Sequence, residues 1–437
     1  MRSSSFGLSP CRFPALRGEA IRPLPRLWQE RQCAIWALAG RHLSPTGRGV
    51  KWGPALPCLD SAAGSQSVRR VASGTPSELT AEERALLRLA RQELGDEDTS
   101  FLRGQTGIDW TQVASLAVRG GIAGLVESNL RQLGLGGAQH NLAMAGLHIE
   151  VENRRLLRET VAVCAQASAR GVLLIPLKGI ALVGAGIYAN PGFRSMCDVD
   201  LLCRPDRFEQ VLGILRERGF EETGYVPAQH DYYHHVTLVK PTGKRQVMFE
   251  LHWQPTYGFF DFQSVLAEWF TRSRRVRTVD GELPGLSPTD LLLSVSLHLA
   301  THRFRAGLKW LVDIAEIARR WQAKIDWQQL WSDARRLGAV SALTFAFKMA
   351  VRLLDAPISG LPPAGLRERL GRRLCSDAAM VRSEPQPGNL SSGLINLLYH
   401  DNVRDGIRLL MHKAAELAER RHINLRFLRW DRQRRSK

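Results

Sequence analysis

Cysteine is scarce in this 437-residue chain: seven residues, at positions 11, 33, 58, 164, 197, 203 and 375, an odd number with no Cys-x-x-Cys pair. That argues against a disulfide framework or a zinc knuckle and for a reducing, cytoplasmic setting. Long apolar runs are missing too. None reaches the ~18–20 residues that cross a bilayer, so no membrane span is expected. Cys33–Gly40 comes nearest to a secretory signal, but it is short, preceded by charges and without a convincing cleavage site. There is no internal repeat.

Acidic residues are in deficit, 42 Asp/Glu against 60 Lys/Arg, for a net charge of +18. Such a balance invites nucleic acid, yet its distribution weakens that inference. Residues 1–75 carry eleven basic against three acidic residues, and residues 403–437 eleven against four, which leaves the body at +3. Nucleic acid is therefore a possible partner but not the favoured one.

Residues 1–75 are rich in Arg, Pro, Ser and Gly without a sustained period, which predicts a disordered basic extension. It reads as translation from an upstream start codon, with a basic targeting or nucleic-acid arm as the functional alternative. Order is expected from Thr80-Ala-Glu-Glu83, a capping box opening a helix to Gly95. Helices follow at Asp109–Val118, Ile122–Leu133 and Asn141–Ala169. A short buried strand, 172–177, delivers Lys178 and Gly179 into a turn before the helix Ile180–Tyr188, a geometry that lets backbone approach an anion. After a strand at 198–203 come a helix at Pro205–Arg218 and a hairpin pairing His235–Lys240 with Gln246–Trp253. The order is β-α-β-α-β-β. From Pro288 the pattern is helical at 288–303, 308–320, 326–337, 341–354 and 363–375; a linker at Val381–Ser392 and a basic tail at Met411–Arg435 complete it. The fold class is α+β: a small mixed sheet core at 171–257, between a helical region at 76–170 and a helical domain at 258–380, with linker and tail at 381–437.

Asp198 and Asp200 stand two apart on an apolar strand and so share a face. Two carboxylates ~6–7 Å apart along that face can grip one or two divalent cations, while Val199 and Leu201 enter the core. Burying both charges without a cation is costly. Glu250, between Phe249 and Leu251, supplies a third carboxylate if the strands are neighbours. Arg194 is a solvated loop arginine or a phosphate partner, and Lys178 a strand-end charge or a phosphate contact. His252 shares the face of Glu250 and either orients it, contacts nucleotide or packs beside Trp253. His230, His234 and His235 with Asp231 are a conceivable metal cluster, although the favoured reading buries His235 in the strand and leaves the others in the loop; His298 and His302 lack the glutamate of a zincin and read as a packed or substrate-facing pair.

Gly179, Asp-x-Asp at 198–200 and a glutamate between hydrophobic residues resemble the polymerase-β-type nucleotidyltransferase superfamily. The fuller run resembles the uncharacterised bacterial nucleotidyltransferase family: Leu177-Lys178-Gly179, Tyr188, Pro191-Gly192, Arg194, Asp-x-Asp and Glu250-Leu-His-Trp253, between Ile108-Asp109-Trp110 and Trp310-Leu-Val-Asp313. The similarity spans roughly residues 80–355. It implies Mg2+-dependent transfer of a nucleoside monophosphate from an NTP, ATP included, to an unidentified acceptor hydroxyl or amine. Asp198 and Asp200 would hold two Mg2+ ions, Glu250 would complete the site of the ion that activates the acceptor, and Lys178, Gly179 and Arg194 would face the triphosphate. One departure stands out: the superfamily's Gly-Ser is Gly179-Ile180 here. That departure leaves a catalytically degenerate nucleotide-binding or regulatory protein of the same fold as the alternative.

Overall fold

The computed structural model describes residues 79–135, 139–223, 234–242, 245–256, 260–305, 307–384 and 389–402, with single positions at 407 and 411. The basic extension at 1–75 and all of the basic tail beyond Met411 lie outside the described residues.

Helix α1 (Ala81–Leu89) opens on the expected capping box: Thr80 N–H donates to Glu83 Oε2 over 3.0 Å, and Glu83 N–H donates to Thr80 Oγ1 over 3.2 Å. It stops before Gly95, which is instead the N-cap of α2 (Asp96–Gly104). Asp96, Glu97 and Asp98 suit the positive end of a new helix better than the end of an old one. Asp109 caps α3 (Trp110–Gly120), and α4 (Ala123–Leu133) packs against α5 (Gln139–Ala169), which spans 31 residues. Their approach is very close. A Cβ on Gly146 would lie 2.9 Å from the Cα of Gly124.

The expected strand at 172–177 pairs only over β1 (Ile175–Pro176), at the sheet edge where proline's missing N–H is tolerated. The chain continues through α6 (Lys178–Gly184), β2 (Val199–Leu202), α7 (Phe208–Glu217), β3 (Glu221–Glu222), β4 (His235–Thr242) and β5 (Arg245–His252). The five strands lie in the order β1-β2-β5-β4-β3, with β2 and β5 parallel and every other pair antiparallel. The sheet is therefore small and mixed as expected, with β3 an addition of two residues.

Besides α2 and β3, further elements went unforeseen. After α8 (Leu266–Thr271), β6 (Arg274–Thr278) and β7 (Gly281–Gly285) form a separate hairpin. Arginine at 274, 275 and 277 hides the alternation that would announce a strand. The C-terminal part holds α9 (Pro288–Thr301), α10 (Leu308–Trp321), α11 (Trp327–Arg336), α12 (Val340–Leu354), α13 (Leu366–Leu374), α14 (Asp377–Val381) and α15 (Asn389–Tyr399). The expected linker at 381–392 is thus helical at both ends, because Val381 and Ile395 are buried side chains that belong to the core.

The sheet faces two cores. Val199, Leu201, Phe249 and Leu251 pack with Val211, Leu212 and Leu215 of α7 and with Leu157 and Val161 of α5. The helices before the sheet and those after it share the other core, where Leu86, Leu116 and Leu125 join Leu292, Leu311 and Phe345. Alternate residues of β2 and β5 thus fill one apolar layer and leave their polar partners on the opposite face.

Candidate active site

The parallel register of β2 and β5 sets Asp200 directly opposite Glu250. Both are buried, at 4% and 7% exposure, and their oxygens lie with a ring nitrogen of His252 within 4.8 Å of one another. His252 Nε2 is 2.9 Å from Asp200 Oδ1 and 3.4 Å from Glu250 Oε2. Lys178 Nζ donates to Asp200 Oδ1 over 2.5 Å. Asp198 stands one residue before β2, half-buried, and falls outside the 4.8 Å set.

Electrostatics divides the carboxylates. Burial pushes Asp198 up to about 7, and the charges of Asp200 and Glu250 add to the rise. Burial acts on Asp200 as well, but the Lys178 ammonium and the His252 bond outweigh it and hold that carboxyl well below its ordinary range. Burial opposes the charged form of Lys178; the carboxylates of Asp200, Glu250 and Asp198 outweigh it and raise the ammonium. The same contest raises His252, through Asp200 and Glu250.

Lys178 occupies a left-handed backbone conformation, φ +51°, where the strand turns into α6. A side chain there costs of order 1–3 kcal/mol, and such strain persists where the surroundings over-determine it. The neighbouring Gly179 is required sterically: a Cβ would sit 2.0 Å from Arg194 Nη1 and 2.6 Å from Met196 Sδ. Ile180, at the position of the superfamily's serine, is buried in the apolar core and presents no hydroxyl.

Arg194 is placed differently from the expectation that it faces a triphosphate. Its guanidinium is buried against Asp313 of α10, with Nη2 donating to Oδ2 over 2.9 Å and Nε to Oδ1 over 3.2 Å, while the Tyr188 hydroxyl donates to Oδ1 over 2.6 Å. Arg194 Nη1 also reaches the Ser195 carbonyl, 3.2 Å away. Three residues quoted for the resemblance therefore meet in one buried strut behind Gly179. Sequence reasoning missed that pairing; the signal was Asp313 closing Trp310-Leu-Val-Asp313.

The sequence profile of the uncharacterised nucleotidyltransferase family matches residues 106–355, more than half of the chain. The chain belongs to that family. A search of curated proteins found no match. Among solved structures, the chain is similar to an antigenic nucleotidyltransferase-like protein from Paracoccidioides brasiliensis, at 13% identity over 47% of this chain and 94% of that one, with a TM-score of 0.29. All six residues expected at the nucleotidyltransferase site lie inside the matched region.

The histidines singled out in the sequence fall into two groups. His234 and His235 gather with His252 beside the carboxylates, whereas His230 and Asp231 lie outside the described residues. His298 packs edge-on against Trp310 and His302 lies tilted over it, with ring centroids 4.9 and 4.2 Å away, and the two belong to no metal-ready trio among the described residues. Burial pushes His302 down to about 3 and His298 well below its usual range, so both rings are neutral at pH 7. No helix among the described residues is long and apolar enough to cross a membrane.

Proposed function

We propose that the chain is a divalent-cation-dependent nucleotidyltransferase that moves a nucleoside monophosphate from an NTP, ATP among them, to an acceptor hydroxyl or amine and releases pyrophosphate. The observation that carries this reading is the cross-strand pair of Asp200 and Glu250, with Asp198 two residues earlier and Lys178 at a strained strand-to-helix turn. The donor set fits Mg2+: hard carboxylate oxygens, crowded enough that Asp198 rises to about 7 when no cation shares the charge. Asp198 and Asp200 are the residues that would hold the two ions, with Glu250 completing the acceptor side. Bound Mg2+ would supply the positive charge that a triphosphate needs near three acids.

The chain's own groups do the rest. Lys178, bonded to Asp200 here, is the ammonium that would meet phosphate oxygens. Gly179, in the first turn of α6, would offer backbone to the triphosphate, while its missing Cβ makes room for Arg194 and Met196. Arg194 acts at one remove by fixing the wall against which Gly179 packs. Free cysteines at 164, 197, 203 and 375 suit a reducing cytoplasm. One feature favours the second reading, a nucleotide binder without turnover: Ile180 offers no hydroxyl to the triphosphate.

The test is incubation of the purified chain with each labelled NTP, Mg2+ and a lysate fraction. Labelled product that disappears with Asp200→Asn supports the transferase; NTP bound in a Mg2+-dependent way without product in any fraction supports the binder.

A further inference from the structure

The carboxylates are flanked by a histidine cluster of which the proposed transferase site uses only His252, as a partner of Asp200 and Glu250. Antiparallel pairing of β4 and β5 sets His235 opposite His252, and His234 precedes β4 by one residue. The three rings lie with centroids 4.6, 4.9 and 5.0 Å apart, and each offers a nitrogen within 4.8 Å of the others'. His234 and His252 are buried and His235 is half-buried. Filling an interior with three imidazoles is costly unless their nitrogens find partners.

Two details orient these rings as ligands are oriented. Asp200 Oδ1 takes the Nε2 side of His252, and His252 Nδ1, fully buried, meets no hydrogen-bond partner among the described residues. Glu250 Oε1 lies 3.6 Å from His235 Nε2, while His235 Nδ1 is 3.3 Å from His234 Nε2. A carboxylate bonded to one nitrogen of an imidazole, as Asp200 is to His252, fixes the ring as metal-binding histidines are fixed.

We propose that His234, His235 and His252 form a nitrogen-donor site for a divalent transition cation of the Zn2+ class, beside the carboxylate site and distinct in chemistry from it. Imidazole donors suit Zn2+, Co2+ and Ni2+, whereas Mg2+ takes oxygen. The site shares His252 with the carboxylate cluster and uses Asp200 to orient that ring. It does not depend on nucleotidyl transfer, since only the three rings and their carboxylates are needed.

Co2+ is the probe. The full-length chain, stripped with chelator, is titrated with Co2+ and followed by its visible absorption. Bands of nitrogen-ligated Co2+ should saturate at one ion per chain, yield to Zn2+ and persist in excess Mg2+. His234→Asn and His235→Asn, which keep polar side chains of smaller volume, should each weaken Co2+ by at least about tenfold, the scale on which metal-site changes act. Far-UV circular dichroism checks their folding, and the His235→Gln variant substitutes where His235→Asn does not fold. Absence of the bands at one equivalent, or bands unchanged in the double variant, overturns the proposal. Its failure is separable from that of the transferase reading: Mg2+–NTP binding without Co2+ bands sinks the histidine site alone, and Co2+ bands without Mg2+–NTP binding sink the transferase alone.

Discussion

Residues 194 and 178 each send a cation to a buried aspartate, and the two pairs differ in how fully they are satisfied. Arg194 and Asp313 share a forked contact that Tyr188 and the Ser195 carbonyl complete. Lys178 meets Asp200 through one ammonium on a strained backbone, and the bond from His252 falls on the same oxygen, Oδ1. Glu250 and Asp198 crowd that second pair with negative charge. Burial and pairing alone do not mark a functional site, since both pairs have them. The number of acids separates them: the Arg194 pair balances itself, whereas Asp198, Asp200 and Glu250 crowd Lys178, where the proposed cation would meet them.

The comparison breaks first at Asp313. Asp313→Ala leaves the Arg194 guanidinium buried without its carboxylate, which should cost about 3–5 kcal/mol and appear as a lower urea midpoint at unchanged slope. Nucleotide binding by the fraction still folded should fall less than in Gly179→Ala, since Asp313 reaches the turn only through Arg194. Gly179→Ala sharpens the contrast. Its methyl collides with Arg194 and Met196, so stability should fall by about 1–3 kcal/mol, and the displaced turn should weaken Mg2+–NTP binding beyond what the stability loss explains; titration at a temperature well below the transition separates the two. Smallest of all, removal of residues 1–75 should leave melting temperature and NTP affinity unchanged, because that stretch shows no core-forming period. A large drop on truncation would assign it a structural role.

Much of this was legible in the sequence where local chemistry is strong. Thr80 and Glu83 announced a helix start, and the parity of Val199 to Leu202 against Phe249 to His252 assigned faces to both strands. Contacts between distant segments were not legible. Nothing near Arg194 names Asp313, 119 positions away, as its partner, and a glycine beside a lysine reads as a phosphate turn whether or not an arginine packs on it. The β6–β7 hairpin escaped because its strands carry exposed arginines rather than an alternating apolar face. His235 reads as a strand residue and His234 as a loop residue in the sequence; that His252 lies beside both follows only from the register of β4 on β5.

Asp198→Asn tests the central claim most directly, with melting temperature in the absence of metal and Mg2+–NTP binding measured on the same preparation. The folded carboxyl sits at about 7 against an ordinary 3.8, so the folded chain holds its proton where the unfolded chain has released it. Ionised Asp198 therefore works against stability, fully above about pH 7 and less and less as the pH falls toward about 4. The amide removes that penalty: the metal-free variant should melt at the same temperature or higher at pH 8, with the gain fading at lower pH, while Mg2+–NTP binding collapses. A variant that melts lower at pH 8 and binds Mg2+–NTP as the parent chain does would contradict the account.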